Sequence, residues 1–293
     1  MSAAWRRRMP YLALVITFAL TIAYIWPALT ESSSARTAAL PTPSPSPSAH
    51  GDGLSDSHDG YLMQPVSMPT TRGAARTVAF RIVAPDGTAL TDYETVQTKL
   101  LHMYVLRDDL SGYQHVHPEL VGDTWSATIG VPDGGSYRVY AEFTPRGRGV
   151  LGHPTTLGLA FLIPGDTKLA PLPAPAATSD DGELTLTRMD GVANLLEDRG
   201  TLLRFRLTDR SGAVVTGLEP YLGSLGHMSA FDSRTQALSH VHAGLALATA
   251  GPIAADGVLG FHVQFTGRGE RRLYLEFQVA GKVHRAAFTI FVT

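Results

Sequence analysis

The chain has 293 residues, 24 Lys and Arg against 26 Asp and Glu, and a formal net charge of -2. That balance argues against nucleic acid or an acidic membrane surface as the main partner. Cysteine is absent, which excludes disulfides, thiolate metal sites and cysteine nucleophiles and leaves His, carboxylate or Met to hold any metal.

Residues 1–30 open with Arg6, Arg7 and Arg8, followed by residues 11–29 without a charge. The apolar stretch lies between a signal-peptide core and a spanning helix in length, so it reads as a signal anchor or a removed signal peptide. The positive-inside rule places everything after residue 30 outside the cytoplasm. The expected location is therefore the cell membrane, single-pass with extracytoplasmic C-terminal domains, or the secreted fraction if the signal is removed. Residues 31–73, with Pro41-Thr42-Pro43-Ser44-Pro45-Ser46-Pro47, read as a Pro/Ser-rich linker with too little apolar surface to fold.

From residue 74 the pattern is β. Residues 77–83, 100–106, 125–131, 137–143 and 157–163 alternate or run apolar between turns such as Pro85-Asp86-Gly87 and Pro132-Asp133-Gly134-Gly135. Residues 165–180, with Pro171-Leu172-Pro173-Ala174-Pro175, read as a second linker. Strand patterns then resume at 184–186, 201–207, 225–231, 258–265, 272–278 and 285–292. No stretch keeps a helical period. The expectation is an all-β chain of two tandem Ig-like β-sandwiches, repeat 1 over 74–164 and repeat 2 over 181–293, following an N-terminal transmembrane or signal helix.

The two domains are copies. Residues 80–120 align without a gap on 205–245, with twelve of 41 columns identical, and Tyr140-Ala141-Glu142-Phe143 matches Tyr274-Leu275-Glu276-Phe277. Within the copies His102, His115 and His117 recur as His227, His240 and His242, each 125 positions on. In a strand His115 and His117 share a face, and a hairpin through the turn at 107–112 puts His102 on that face too. Alternation sends Met103 and Met228 into the core. Glu142 and Glu276 are candidates for a fourth ligand or for orienting a histidine. Glu94 and Glu219 recur in turn-rich surroundings and read as structural. His153, His262 and His284 have no counterparts and stay outside the site.

Three neutral imidazoles suit Zn²⁺, Cu²⁺ or Ni²⁺, and raw affinity favours copper, with zinc the alternative. Each trio is complete within its own repeat, so two independent sites are expected, one metal in each. Metal should be lost between about pH 7 and 5, where an unperturbed histidine takes up its proton.

The runs Lys99-Leu100-Leu101-His102, Asp109-Leu110-Ser111-Gly112-Tyr113-Gln114-His115-Val116-His117-Pro118 and Tyr221-Leu222-Gly223-Ser224-Leu225-Gly226-His227 resemble a family of exported bacterial proteins labelled secreted or heavy-metal-binding. The resemblance spans about residues 75–293. It implies a tandem β-sandwich and copper or heavy-metal handling outside the cytoplasm, without an established activity. Ala243 departs from it, standing where the pattern has the proline seen at Pro118.

The reading that follows is a membrane-tethered extracytoplasmic metal-binding protein. A zinc-dependent enzyme is the alternative, but no Ser, Asp or Glu recurs in the place of a general base. The third possibility is a structural or adhesive Ig-like pair with no metal role. The partners expected are a metal ion and, through the N-terminal helix, the membrane.

Overall fold

The computed structural model describes residues 51–147, 154–239, 241–243 and 257–293. The predicted signal segment and residues 31–50 of the first linker lie outside them. Among the described residues there is no helix, and so none long and apolar enough to cross a membrane.

The first repeat comprises β1 (Ser57–His58), β2 (Tyr61–Ser67), β3 (Gly73–Val83), β4 (Leu101–Arg107), β5 (Gln114–Val116), β6 (Glu119–Val121), β7 (Thr124–Val131), β8 (Gly135–Phe143) and β9 (Thr155–Ile163). The second comprises β10 (Thr178–Asp180), β11 (Leu184–Arg188), β12 (Thr201–Asp209), β13 (Leu218–Glu219), β14 (Gly226–Asp232), β15 (Leu238–Ser239), β16 (His242–Ala243), β17 (Val258–Val263), β18 (Gly269–Val279) and β19 (Lys282–Val292).

Each repeat is a sandwich of two antiparallel sheets. In the first, β1-β2-β3-β7-β6 faces β5-β4-β8-β9; in the second, β10-β11-β12-β17-β16 faces a sheet of β13, β14, β15, β18 and β19. Alternation fills each core, with Val78, Phe80, Trp125 and Ile129 meeting Met103, Val105, Val139 and Ala141 in repeat 1. Phe205, Leu207 and Phe261 meet Met228, Leu273, Leu275 and Phe288 in repeat 2. Both methionines lie in the cores, as alternation requires.

Two boundaries differ from the sequence reading. β1 and β2 occupy the C-terminal part of the 31–73 linker, and Tyr61 and Met63 are buried in the first core. The end of the 165–180 linker forms β10, which pairs with β11. The rest of that linker is tied back to repeat 1, where Arg107 donates to the Lys168 carbonyl and Asp109 accepts from the Ala170 amide.

The histidine-bearing sheets have a second covered face. Every residue of β4 is buried, as are the first six of β14. On the side of β4 and β8 away from the first core, Tyr104, Leu106 and Tyr140 pack with Leu110 and Tyr113 against Phe231, Leu238 and Tyr274 of repeat 2. The contact is reciprocal: Tyr140 donates to the Gln236 carbonyl and Tyr274 to that of Leu110. Each tyrosine reaches the turn ahead of the other repeat's His-Val-His. The approach segment is woven in as well, for Asp52 accepts from the Leu238 amide and Ser55 from that of Gly158.

Candidate metal centre

The first trio is a product of hairpin register. Leu101, Met103 and Val105 point into the core, leaving His102, Tyr104 and Leu106 on the opposite face of β4. The chain reverses through residues with positive φ, Leu110 at 60° and Gly112 at 67°. It returns as β5 with Tyr104 opposite His115 and Met103 opposite Val116. One step further along this register His117 falls beside His102. Each of the three rings then offers a nitrogen within 4.8 Å of the other two.

Hydrogen bonds fix which nitrogens face inward. His102 Nε2 donates to the Val96 carbonyl at 3.1 Å, so its Nδ1 carries a lone pair. His115 Nδ1 donates to Glu276 Oε2 at 2.6 Å, so in the neutral ring its Nε2 carries the lone pair. Those two lone-pair nitrogens face each other at 3.1 Å. The arrangement repels itself until a cation sits between them. A proton can serve. So can a metal, since two ligands about 2.0–2.1 Å from one zinc at a tetrahedral angle lie about 3.3–3.4 Å apart. The third nitrogen, His117 Nε2, is buried with no hydrogen-bond partner, a cost that a metal would relieve.

A turn ahead of the first histidine supplies the carbonyl anchor in both repeats. Val96 and Lys99 exchange two backbone hydrogen bonds around Gln97 and Thr98, whose φ values are 48° and 67°. Tyr221 and Ser224 do the same around Leu222 (51°) and Gly223 (78°), the pattern of a type I′ turn. His227 Nε2 accordingly donates to the Tyr221 carbonyl at 2.9 Å. Sequence reading missed these anchors, although Val96 and Tyr221 share the histidines' offset of 125.

Repeat 2 completes the surroundings of the first trio. The His227 ring lies 6.4 Å from that of His102 and 6.3 Å from that of His115. Glu276 is buried, and its other oxygen accepts from Arg285 Nε at 3.1 Å and Nη2 at 2.8 Å. Burial works to raise its pKa, but the bonds from His115 and Arg285 outweigh it and hold the carboxyl ionised. Burial disfavours the charged form of three of the rings: it pushes His117 down to about 3, helped by the neighbouring His115 and His102, and His227 down to about 4. His102 is lowered for the same reason, with Glu142 partly opposing. Neutral imidazole is the form that ligates.

The remaining predicted residues separate. Glu142 is buried and sits opposite His102 in the β4–β8 register, while Glu276 orients a histidine of the other repeat rather than of its own. His240 lies outside the described residues. His242 is described by its backbone alone, which pairs with His262 in the sheet of β17. His284 donates to Asp181 at 2.6 Å, away from the trio. Arg285 was not singled out from sequence, where it has no recurring counterpart.

A family model described as a domain of unknown function (DUF8832) matches residues 56–156 and 177–293, one segment in each repeat. No curated protein matches. Similar solved structures include domains 4 and 5 of the S-layer protein SbsC, at 11% identity over 80% of this chain and 97% of that one, with a TM-score of 0.23. Escherichia coli alpha-2-macroglobulin activated by porcine elastase is 12% identical over 80% of this chain and 20% of its own, with a TM-score of 0.26. Invasin, a bacterial integrin-binding protein, is 11% identical over 78% of this chain and 39% of its own, with a TM-score of 0.22. This chain thus spans well under half of the last two.

Proposed function

The chain belongs to this family of unknown function, and from that premise we propose that it is a membrane-tethered, extracytoplasmic metal-binding protein built on two Ig-like sandwiches. The observation that carries the reading is the pair of lone-pair nitrogens, His102 Nδ1 and His115 Nε2, 3.1 Å apart beside the partnerless buried Nε2 of His117. Copper is the proposed metal, with zinc second, because imidazole ligands without thiolates follow the affinity order that puts Cu²⁺ above Zn²⁺. His227, His240 and His242 are proposed as a second site on their identical spacing. The arginine cluster before an uncharged segment supports the tether.

The test is elemental analysis of the full chain purified without an affinity tag. The expected result is two copper or zinc ions per chain, falling to one in His115→Ala/His117→Ala. A wild-type chain that carries no metal and takes none up on dialysis against either ion refutes the reading.

A further inference from the structure

We propose that metal binding at the first trio is linked to the docking of the two repeats, with Glu276 the positioning residue that carries the linkage. The inference rests on His102, His115 and His117 being a metal site. Glu276 belongs to β18 of repeat 2, yet it accepts the Nδ1 proton of His115, 161 residues away in repeat 1. The nitrogen that His115 offers to the trio is the other one, Nε2. A carboxylate on the far side of a ligating imidazole fixes its tautomer, aims its ring and raises its basicity.

Repeat 2 also grips the backbone leading to this histidine. Arg285, which holds Glu276 from β19, donates through Nη1 to the Tyr113 carbonyl at 2.8 Å and lies 4.7 Å above the Tyr113 ring. That ring stacks on Tyr274 at 4.1 Å, and its hydroxyl meets Ser229 Oγ at 3.1 Å. The Tyr113 ring and carbonyl and the His115 ring, on either side of Gln114, are therefore set by groups from the other repeat. Within repeat 1 the carboxylate placed beside the trio is Glu142, whose register partner is His102 rather than His115. A repeat 1 that swings away from repeat 2 keeps its three histidines but loses the group that orients the middle one.

The consequence is thermodynamic. If docking raises metal affinity by a given factor, metal strengthens docking by the same factor, because a coupling free energy is reciprocal. Removing a carboxylate partner of a metal-bound histidine costs about 10–100-fold in affinity, and that sets the expected size of the linkage. The two repeats then close on the metal, so that the metal state is reported as order across the interface.

Two substitutions and one measurement test this on the full chain, in a His240→Ala/His242→Ala background that leaves only the first trio to bind. Glu276→Gln removes the charge and Glu276→Asp withdraws the carboxylate by one methylene. Calorimetric titration of metal-free protein with Cu²⁺, and separately with Zn²⁺, should show affinity about 10–100-fold weaker in both variants. In the unsubstituted Glu276 protein, saturating metal should lower deuterium uptake in β14 and β18 of repeat 2 as well as in β4 and β5. In the variants that protection should be confined to repeat 1. Undiminished affinity in either variant, or protection limited to repeat 1 when Glu276 is present, overturns the linkage and leaves the metal site standing. If Glu276→Gln does not fold, Glu276→Asp and the exchange pattern decide. A Glu276 protein that binds neither ion removes both the site and the linkage.

Discussion

Lowering the pH from 7 to 4 should destabilise the metal-free protein by several kcal/mol, because its buried imidazoles accept protons far less readily when folded. His227 has the simplest arithmetic. Its folded pKa is about 4 against a free value of 6.5, and burial is the main cause. Above pH 6.5 neither state carries the proton and stability is unaffected. Below 6.5 the unfolded chain protonates first, so stability falls with pH until the folded value is reached. At about 1.36 kcal/mol per pKa unit, this gap is worth about 3 kcal/mol. His117, lowered to about 3, and His102, also lowered, act in the same direction. Against a total stability of about 5–15 kcal/mol, the sum is a large fraction. Urea unfolding in the presence of chelator, followed through the buried Trp125, should show a falling midpoint at constant slope as the pH drops from 7 to 4. A midpoint flat over that range would refute the burial argument. The same shifts move metal release: rings that stay neutral to lower pH should hold metal below pH 5, rather than losing it between 7 and 5 as free histidines would.

Phe231→Ala should cost about 3–5 kcal/mol in chemical denaturation, since this fully buried ring meets Tyr104, Tyr113 and Tyr140 across the interface at 5.2–6.4 Å, and Tyr274 of its own repeat at 6.2 Å; a cost under about 1 kcal/mol would show that the repeats do not depend on this contact. Gly158→Ala places a methyl 1.9 Å from the Gly53 carbonyl oxygen, so it should cost about 1–3 kcal/mol and speed protease cleavage around residues 51–55; unchanged cleavage would contradict the close approach. Met103→Leu should leave metal affinity unchanged and cost less than about 1.5 kcal/mol, because Met103 is fully buried in the first core; a tenfold drop in affinity by titration would make its sulfur a ligand.

The repeats and the trio are legible in the sequence for a local reason. Strand alternation has a period of two, and a hairpin register is set by the turn that closes it. Those two rules suffice to put Met103 inward, His102 outward, and His115 and His117 on the face of His102. The β-character of residues 57–67 was not legible: Tyr61 and Met63 are its only core positions, and Gln64, Pro65 and Ser67 resemble the polar spacer before them. Only the tertiary structure decided what covers the histidine face. Leu101-His102-Met103-Tyr104-Val105-Leu106-Arg107 reads much the same whether its second face meets water or another sheet, because His102 and Tyr104 on that face tolerate both. Likewise Glu276 gave no sign that it would serve His115 rather than its own repeat. Alternation fixes a side chain's direction within its strand, whereas a contact 161 residues away in sequence depends on how two finished sheets dock.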